Sequence, residues 1–113
     1  MHELAITQSI LDIAVSEAEK RSVLKVLSIK IKLGEFSGIV PQLIQEYFNI
    51  VSRDTVAANA ELIIEKVPVT IKCLVCGTQN KISRTLIKCP VCGSSDIKML
   101  TGREFFVDSL EVE

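Results

Sequence analysis

Cys73, Cys76, Cys89 and Cys92 fall in two short repeats, C-L-V-C-G at 73–77 and C-P-V-C-G at 89–93, and twelve residues separate Cys76 from Cys89. Two residues between cysteines let both sulfurs turn toward one point while backbone amides donate hydrogen bonds back to them. A glycine follows each pair, Gly77 and Gly93, and supplies the φ > 0 that closes such a turn cheaply. Four thiolates complete the tetrahedral set of a closed structural zinc site, leaving no open position for catalysis. Two other chemistries fit a C-x-x-C pair. A redox dithiol suits either pair alone, but two matched pairs favour one shared ion. Iron in a rubredoxin-like centre suits C-P-V-C-G as well, since thiolates accept both metals; the missing aromatic cover favours zinc.

The chain has a single histidine, His2. A lone terminal histidine is usually a solvated side chain. At position 2, however, the α-amine, the next amide nitrogen and the imidazole can chelate one ion through fused five- and six-membered rings. Glu3 adds a second amide and a carboxylate. Such a nitrogen-rich, tetragonal set suits Ni(II) or Cu(II) rather than Mg or Ca. Protons compete for the same nitrogens, so affinity is expected to fall as the pH drops through ~6.5.

The elements that position these groups follow from periodicity. Residues 4–20 lack Gly and Pro, and Leu4, Leu11, Ala14, Val15 and Ala18, widened by Ile6, Ile10 and Ile13, predict an amphipathic helix. Residues 23–33 switch to period two, with Leu27, Ile29, Ile31 and Leu33 opposite Ser28, Lys30 and Lys32, the mark of a half-buried strand. Gly34 and Gly38 bracket a turn. Pro41 suits the first turn of a second helix, whose core face is Leu43, Ile44, Tyr47, Phe48 and Val51. Strands follow at 60–67 and 104–112. The expected fold is α+β, a three-stranded sheet with two helices on one face and an inserted zinc-ribbon module. Residues 1–67 and 103–113 would form the discontinuous α+β domain, and 68–102 the ribbon.

At 113 residues and 48% hydrophobic, the chain can bury one aliphatic core with a small appended module. The net charge of −1 gives no global reason for a nucleic-acid or membrane partner, but it hides an asymmetry. Residues 66–103 carry seven Lys/Arg against Asp96 alone, while residues 104–113 carry four acids and no base. No stretch approaches the ~18 apolar residues of a membrane span. No secretory signal pattern opens the chain, so a reducing cytoplasm is expected, where paired cysteines serve as metal ligands.

Taken together, M-H-E-L at the start, I-K-L-G-E-F-S at 31–37, the two cysteine repeats, G-R-E-F at 102–105 and L-E-V at 110–112 resemble the HypA/HybF family of hydrogenase and urease nickel-incorporation factors. The resemblance covers essentially the whole chain and implies a nickel metallochaperone rather than an enzyme. It implies nickel as transferred cargo held by Met1, His2 and Glu3, and structural zinc on Cys73, Cys76, Cys89 and Cys92. The partners it implies are a HypB-type GTPase and the [NiFe]-hydrogenase large-subunit precursor, with urease accessory proteins in some members.

The rival from another class is a nucleic-acid-binding zinc ribbon. The basic segment supports it, but the segment lacks aromatic side chains for base stacking. An enzyme is disfavoured by the absence of a nucleotide loop and of a nucleophile–histidine pair. Glu35 lies in the 34–38 turn and is not expected to ligate nickel. The expected oligomer is a monomer or a dimer, since a strand following an inserted module can swap between chains.

Overall fold

The opening run without glycine or proline forms α1 (Glu3–Arg21) in the computed structural model, which describes residues 3–113. Thr7, Ile10, Leu11, Ala14 and Ala18 are its buried residues. The core stripe is narrower than expected, for Leu4 and Ile13 are 54% and 45% exposed. Thr7 joins the stripe because its hydroxyl donates to the Glu3 carbonyl at 2.6 Å, which satisfies the polar atom within the helix. At the far end Ser22 adopts φ 53°, Val23 N–H returns to the Ala18 carbonyl at 3.1 Å, and Ser22 N–H meets the Glu19 carbonyl at 3.3 Å. This is Schellman closure with serine where glycine is commonest.

Pro41 begins α2 (Pro41–Val51), and Ile44 and Phe48 are its buried residues. Val40 offers no side-chain cap; instead its N–H donates to the Glu3 carboxylate at 3.4 Å. The first turn of α1 is thereby tied to the start of α2, and the two helices pack together.

The alternating run becomes β1 (Val26–Gly34), with Ile29, Ile31 and Leu33 buried and the intervening Lys30 and Lys32 half-exposed. It starts later than the apolar run because Leu24 is 85% exposed; Val26 is the first buried residue, with its N–H on the Val56 carbonyl at 2.9 Å. Next comes β2 (Glu61–Val67), then the short strands β3 (Thr70–Cys73), β4 (Gln79–Lys81) and β5 (Ile97–Thr101), and finally β6 (Phe105–Val112). One sheet has the order β2-β1-β6, placing the cleanest alternating strand at its centre. The other has the order β4-β3-β5, with β3 antiparallel to both neighbours and a bulge between Thr70 and Ile71 opposite β5. The architecture is the expected α+β one, and the cysteine-bearing segment supplies its own small sheet.

Two compact units divide the chain. One takes the chain up to Ile31, Ile39–Glu65 and Phe106–Glu113, and holds both helices. The other takes Lys32–Gly38 and Lys66–Phe105, and holds the second sheet. The second has a small apolar interior: Leu33, Val69 and Ile71 are buried there along with Cys73 and Cys89. Its 34–38 turn is bonded backbone to backbone, with Gly34 N–H on Glu104 O (2.7 Å), Phe36 N–H on Gly102 O (2.6 Å) and Glu35 N–H on Val67 O (3.0 Å).

Candidate metal centre

Strand β3 delivers Cys73 to the start of the first cysteine turn. Cys73 N–H donates to Thr78 O at 2.9 Å, Gly77 N–H donates to Cys73 O at 3.0 Å, and Gly77 takes φ 78°. The second turn repeats this wiring. Cys89 N–H donates to Ser94 O at 2.9 Å, Gly93 N–H to Cys89 O at 2.9 Å, and Gly93 takes φ 76°. Matching spacing in the sequence has produced two matching loops, each aiming its sulfurs at one point.

The four Sγ atoms all lie within 4.8 Å of one another, and none forms a disulfide. Cys73 Sγ and Cys92 Sγ are 3.5 Å apart, and Cys76 Sγ and Cys89 Sγ 3.6 Å. A tetrahedral Zn–S₄ group with bonds of ~2.3 Å has sulfur–sulfur edges of about 3.8 Å, so the tetrad fits zinc with little adjustment. Amides already point at the buried sulfurs: Val75 N–H and Cys76 N–H each reach Cys73 Sγ at 3.4 Å, and Val91 N–H reaches Cys89 Sγ at 3.4 Å. Cys73 and Cys89 are buried while Cys76 and Cys92 are exposed. With four protein donors the coordination set is closed, a structural site rather than a catalytic one.

The sulfurs are electrostatically unequal. Cys89 is held down to about 6, chiefly by the Cys92 N–H and against the cost of burial, with help from Val91 N–H and the Thr78 hydroxyl. Cys76 is lowered too, first by the Thr78 hydroxyl and then by the Thr78 amide. At Cys92 the Ser94 amide pulls downward, but the Cys73 thiol, burial and the other two sulfurs outweigh it and raise the thiol to about 11. In this fold Cys89 therefore ionises more readily than Cys92. Metal binding must displace the thiol protons that remain, so zinc affinity is expected to fall as the pH drops. Calorimetry at a series of pH values checks this; affinity that stays constant with pH contradicts it.

Of the residues expected to hold nickel, Met1 and His2 lie outside the described residues. Glu3 is the first residue of α1, and its carboxylate accepts from Val40 N–H. Glu35, which was not expected to ligate, belongs to the second unit and is bonded through its N–H to Val67. Among the described residues, the cysteine tetrad is the group whose side chains could hold a metal ion. Thr78 and Asn80 escaped the sequence reading although both touch the tetrad's hydrogen-bond network. The available signal was a hydroxyl residue two places after Cys76. No helix among the described residues is long and apolar enough to cross a membrane.

Comparison with known proteins agrees with this arrangement. The model of the family described as hydrogenase/urease nickel incorporation, metallochaperone, HypA matches residues 1–112. The hydrogenase maturation factor HypA of Caldanaerobacter subterraneus subsp. tengcongensis is 42% identical, with all of both chains covered. That of Geobacter metallireducens is 37% identical, again over all of both chains. The solution structure of the Ni metallochaperone HypA from Helicobacter pylori shares the fold, at TM-score 0.68 and 23% identity over 99% of this chain and 97% of that one. A further HypA solution structure superposes at TM-score 0.75, with 24% identity over 100% of this chain and 97% of that one. From its first residues through both cysteine turns to its last strand, this chain belongs to the HypA family of hydrogenase and urease nickel-incorporation metallochaperones.

Proposed function

We propose that this nickel metallochaperone of hydrogenase maturation holds Ni(II) at its amino end. The donors are the Met1 amine, the His2 imidazole and the main-chain nitrogens of His2 and Glu3. The observation that carries the reading is a family match that runs over residues 1–112, so that it includes M-H-E as well as both cysteine pairs. Helix geometry supports it. Glu3 opens α1, and the first N–H groups of a helix have no intrahelical partner, so ligation at the Glu3 nitrogen breaks no helical hydrogen bond. The positive end of the helix dipole also favours deprotonated nitrogens there. The Glu3 carboxylate accepts Val40 N–H through Oε2 at 3.4 Å, a bond that does not involve the Glu3 main-chain nitrogen. A terminal chelate of this kind releases its ion by stepwise ligand exchange, which suits delivery better than storage.

The recipient is the [NiFe]-hydrogenase large-subunit precursor, assisted by a HypB-type GTPase, with urease maturation as a second destination in the cytoplasm. The ribbon contributes a docking face. Lys66, Lys72, Lys81, Arg84, Lys88, Lys98 and Arg103 are all exposed, which supports contact with an acidic partner surface.

The test is calorimetric titration of nickel into the untagged chain, into His2→Ala, and into a chain with Gly-Ser ahead of Met1. Both changes remove a donor outright, so each is expected to weaken nickel binding by more than the ~100-fold that an outer contact is worth. Zinc content should not change. Unaltered nickel affinity in the extended chain would refute the amino-terminal site.

A further inference from the structure

The two cysteine turns share a backbone but not a side-chain environment. In the first turn the Thr78 hydroxyl lies 3.1 Å from Cys76 Sγ and 3.8 Å from Cys89 Sγ. Asn80, on β4, donates its side-chain N–H to the Thr78 oxygen at 3.1 Å. In the second turn the equivalent hydroxyl, on Ser94, is used differently: its oxygen accepts the Asp96 N–H at 3.0 Å. Cys76 and Cys92, the exposed member of each pair, are therefore not equivalent.

The direction of the Thr78 bond follows from proton counting. A threonine hydroxyl has one proton, and Asn80 already supplies a donor to its oxygen, so that proton is free to point elsewhere. A metal-bound or ionised sulfur has none to give. The bond must run from Thr78 O–H to the Cys76 sulfur, with Cys89 as the more distant second acceptor. A donor of this kind withdraws electron density from the thiolate. It makes the sulfur a poorer nucleophile, and by fixing the sulfur's orientation the outer contact also adds to the site's hold on its metal.

We infer that Thr78, oriented by Asn80, is a positioning residue that quiets the exposed Cys76 thiolate and so slows metal exchange and electrophilic attack at the first cysteine turn. Cys92 lacks the Thr78 bond and is the more reactive of the two exposed ligands. The inference concerns the ribbon alone and stands independently of where nickel binds.

The experiment compares the full-length, zinc-loaded chain with Thr78→Val, Thr78→Ser and Asn80→Ala at one fixed pH. Three quantities are read: zinc transfer to a chromophoric chelator, the rate at which iodoacetamide alkylates each cysteine, and the sulfur-to-metal charge-transfer band after cobalt(II) replaces zinc. In the alkylation a sulfur–carbon bond forms and iodide leaves with the electron pair, so the rate reports thiolate nucleophilicity. Thr78→Val should speed zinc transfer about tenfold, the low end for loss of an outer contact. It should also raise alkylation selectively at Cys76 and move the cobalt band to lower energy. Thr78→Ser should restore all three, and Asn80→Ala should fall between. The band position separates an electronic effect from mere loosening. Wild-type behaviour in Thr78→Val, failure of serine to rescue it, or faster alkylation spread evenly over the four cysteines would each overturn the inference. Should Thr78→Val not fold, the Asn80→Ala readings decide alone, and a wild-type band and rate there would count against it.

Discussion

Stripping the metal from the four cysteines is expected to unfold residues 68–102 while both helices persist. The ribbon's own apolar interior is slight: Val69 and Ile71 are its fully buried large aliphatic side chains, and the 34–38 turn adds no more than Leu33 from the adjoining strand. Burying a large aliphatic side chain contributes about 1.5–3 kcal/mol, and ordering each residue costs about 1–2 kcal/mol, so this segment cannot hold its shape by apolar burial alone. A tetrathiolate zinc site contributes on the order of 10 kcal/mol, enough to reverse that balance. Helices α1 and α2 lie in the other unit, with Ile10, Leu11, Ala14, Ala18, Ile44 and Phe48 buried. Chelation should leave the helical circular dichroism largely intact and open new protease sites between residues 70 and 100. Cys73→Ala should do the same and should be worse than Cys76→Ala. Cys73 is buried and its sulfur accepts two amides, Val75 N–H and Cys76 N–H, whereas Cys76 sits at the surface. Protease resistance through 70–100 in fully zinc-free protein would show that the segment has some other source of stability.

The parts of this molecule visible in the sequence are those that repeat. Four cysteines at matched spacing revealed the tetrad, because the local turn that C-x-x-C-G adopts is set almost wholly by its own residues. Alternation revealed β1, and its half-exposed Lys30 and buried Ile29 and Ile31 keep the expected faces. What stayed hidden depends on neighbours distant in the chain. Leu4 and Ile13 look like core residues by helical spacing yet face outward, while Thr7 is buried because a carbonyl one turn earlier satisfies its hydroxyl. The Glu3–Val40 bond spans both helices and leaves no periodic trace. Thr78 is similar: nothing in C-G-T requires the hydroxyl to turn to sulfur, and it does so where Asn80 on β4 occupies its oxygen.

Gly34→Ala should be the most damaging small substitution outside the cysteines. A Cβ at this position would overlap the Gly102 carbonyl and lie 2.6 Å from the Arg103 nitrogen. Both are backbone atoms, which cannot rotate away as a flexible side chain would. Relief therefore requires separating the 34–38 turn from residues 102–104 and losing the Gly34–Glu104 and Phe36–Gly102 hydrogen bonds. Overpacking alone costs about 1–3 kcal/mol, and lost backbone bonds add about 1 kcal/mol each, so a loss of at least about 3 kcal/mol is expected. Gly38 provides the comparison. It is exposed at φ 76°, so alanine there meets the left-handed backbone penalty of about 1–2 kcal/mol. Urea unfolding of the zinc-loaded variants should rank Gly34→Ala well below Gly38→Ala; equal midpoints would mean the backbone contact yields easily. The contact also gives physical content to two of the stretches by which the family is recognised. K-L-G-E-F-S and G-R-E-F lie far apart in the chain, yet the backbone at Gly102 and Arg103 reaches the end of β1 because Gly34 carries no side chain there.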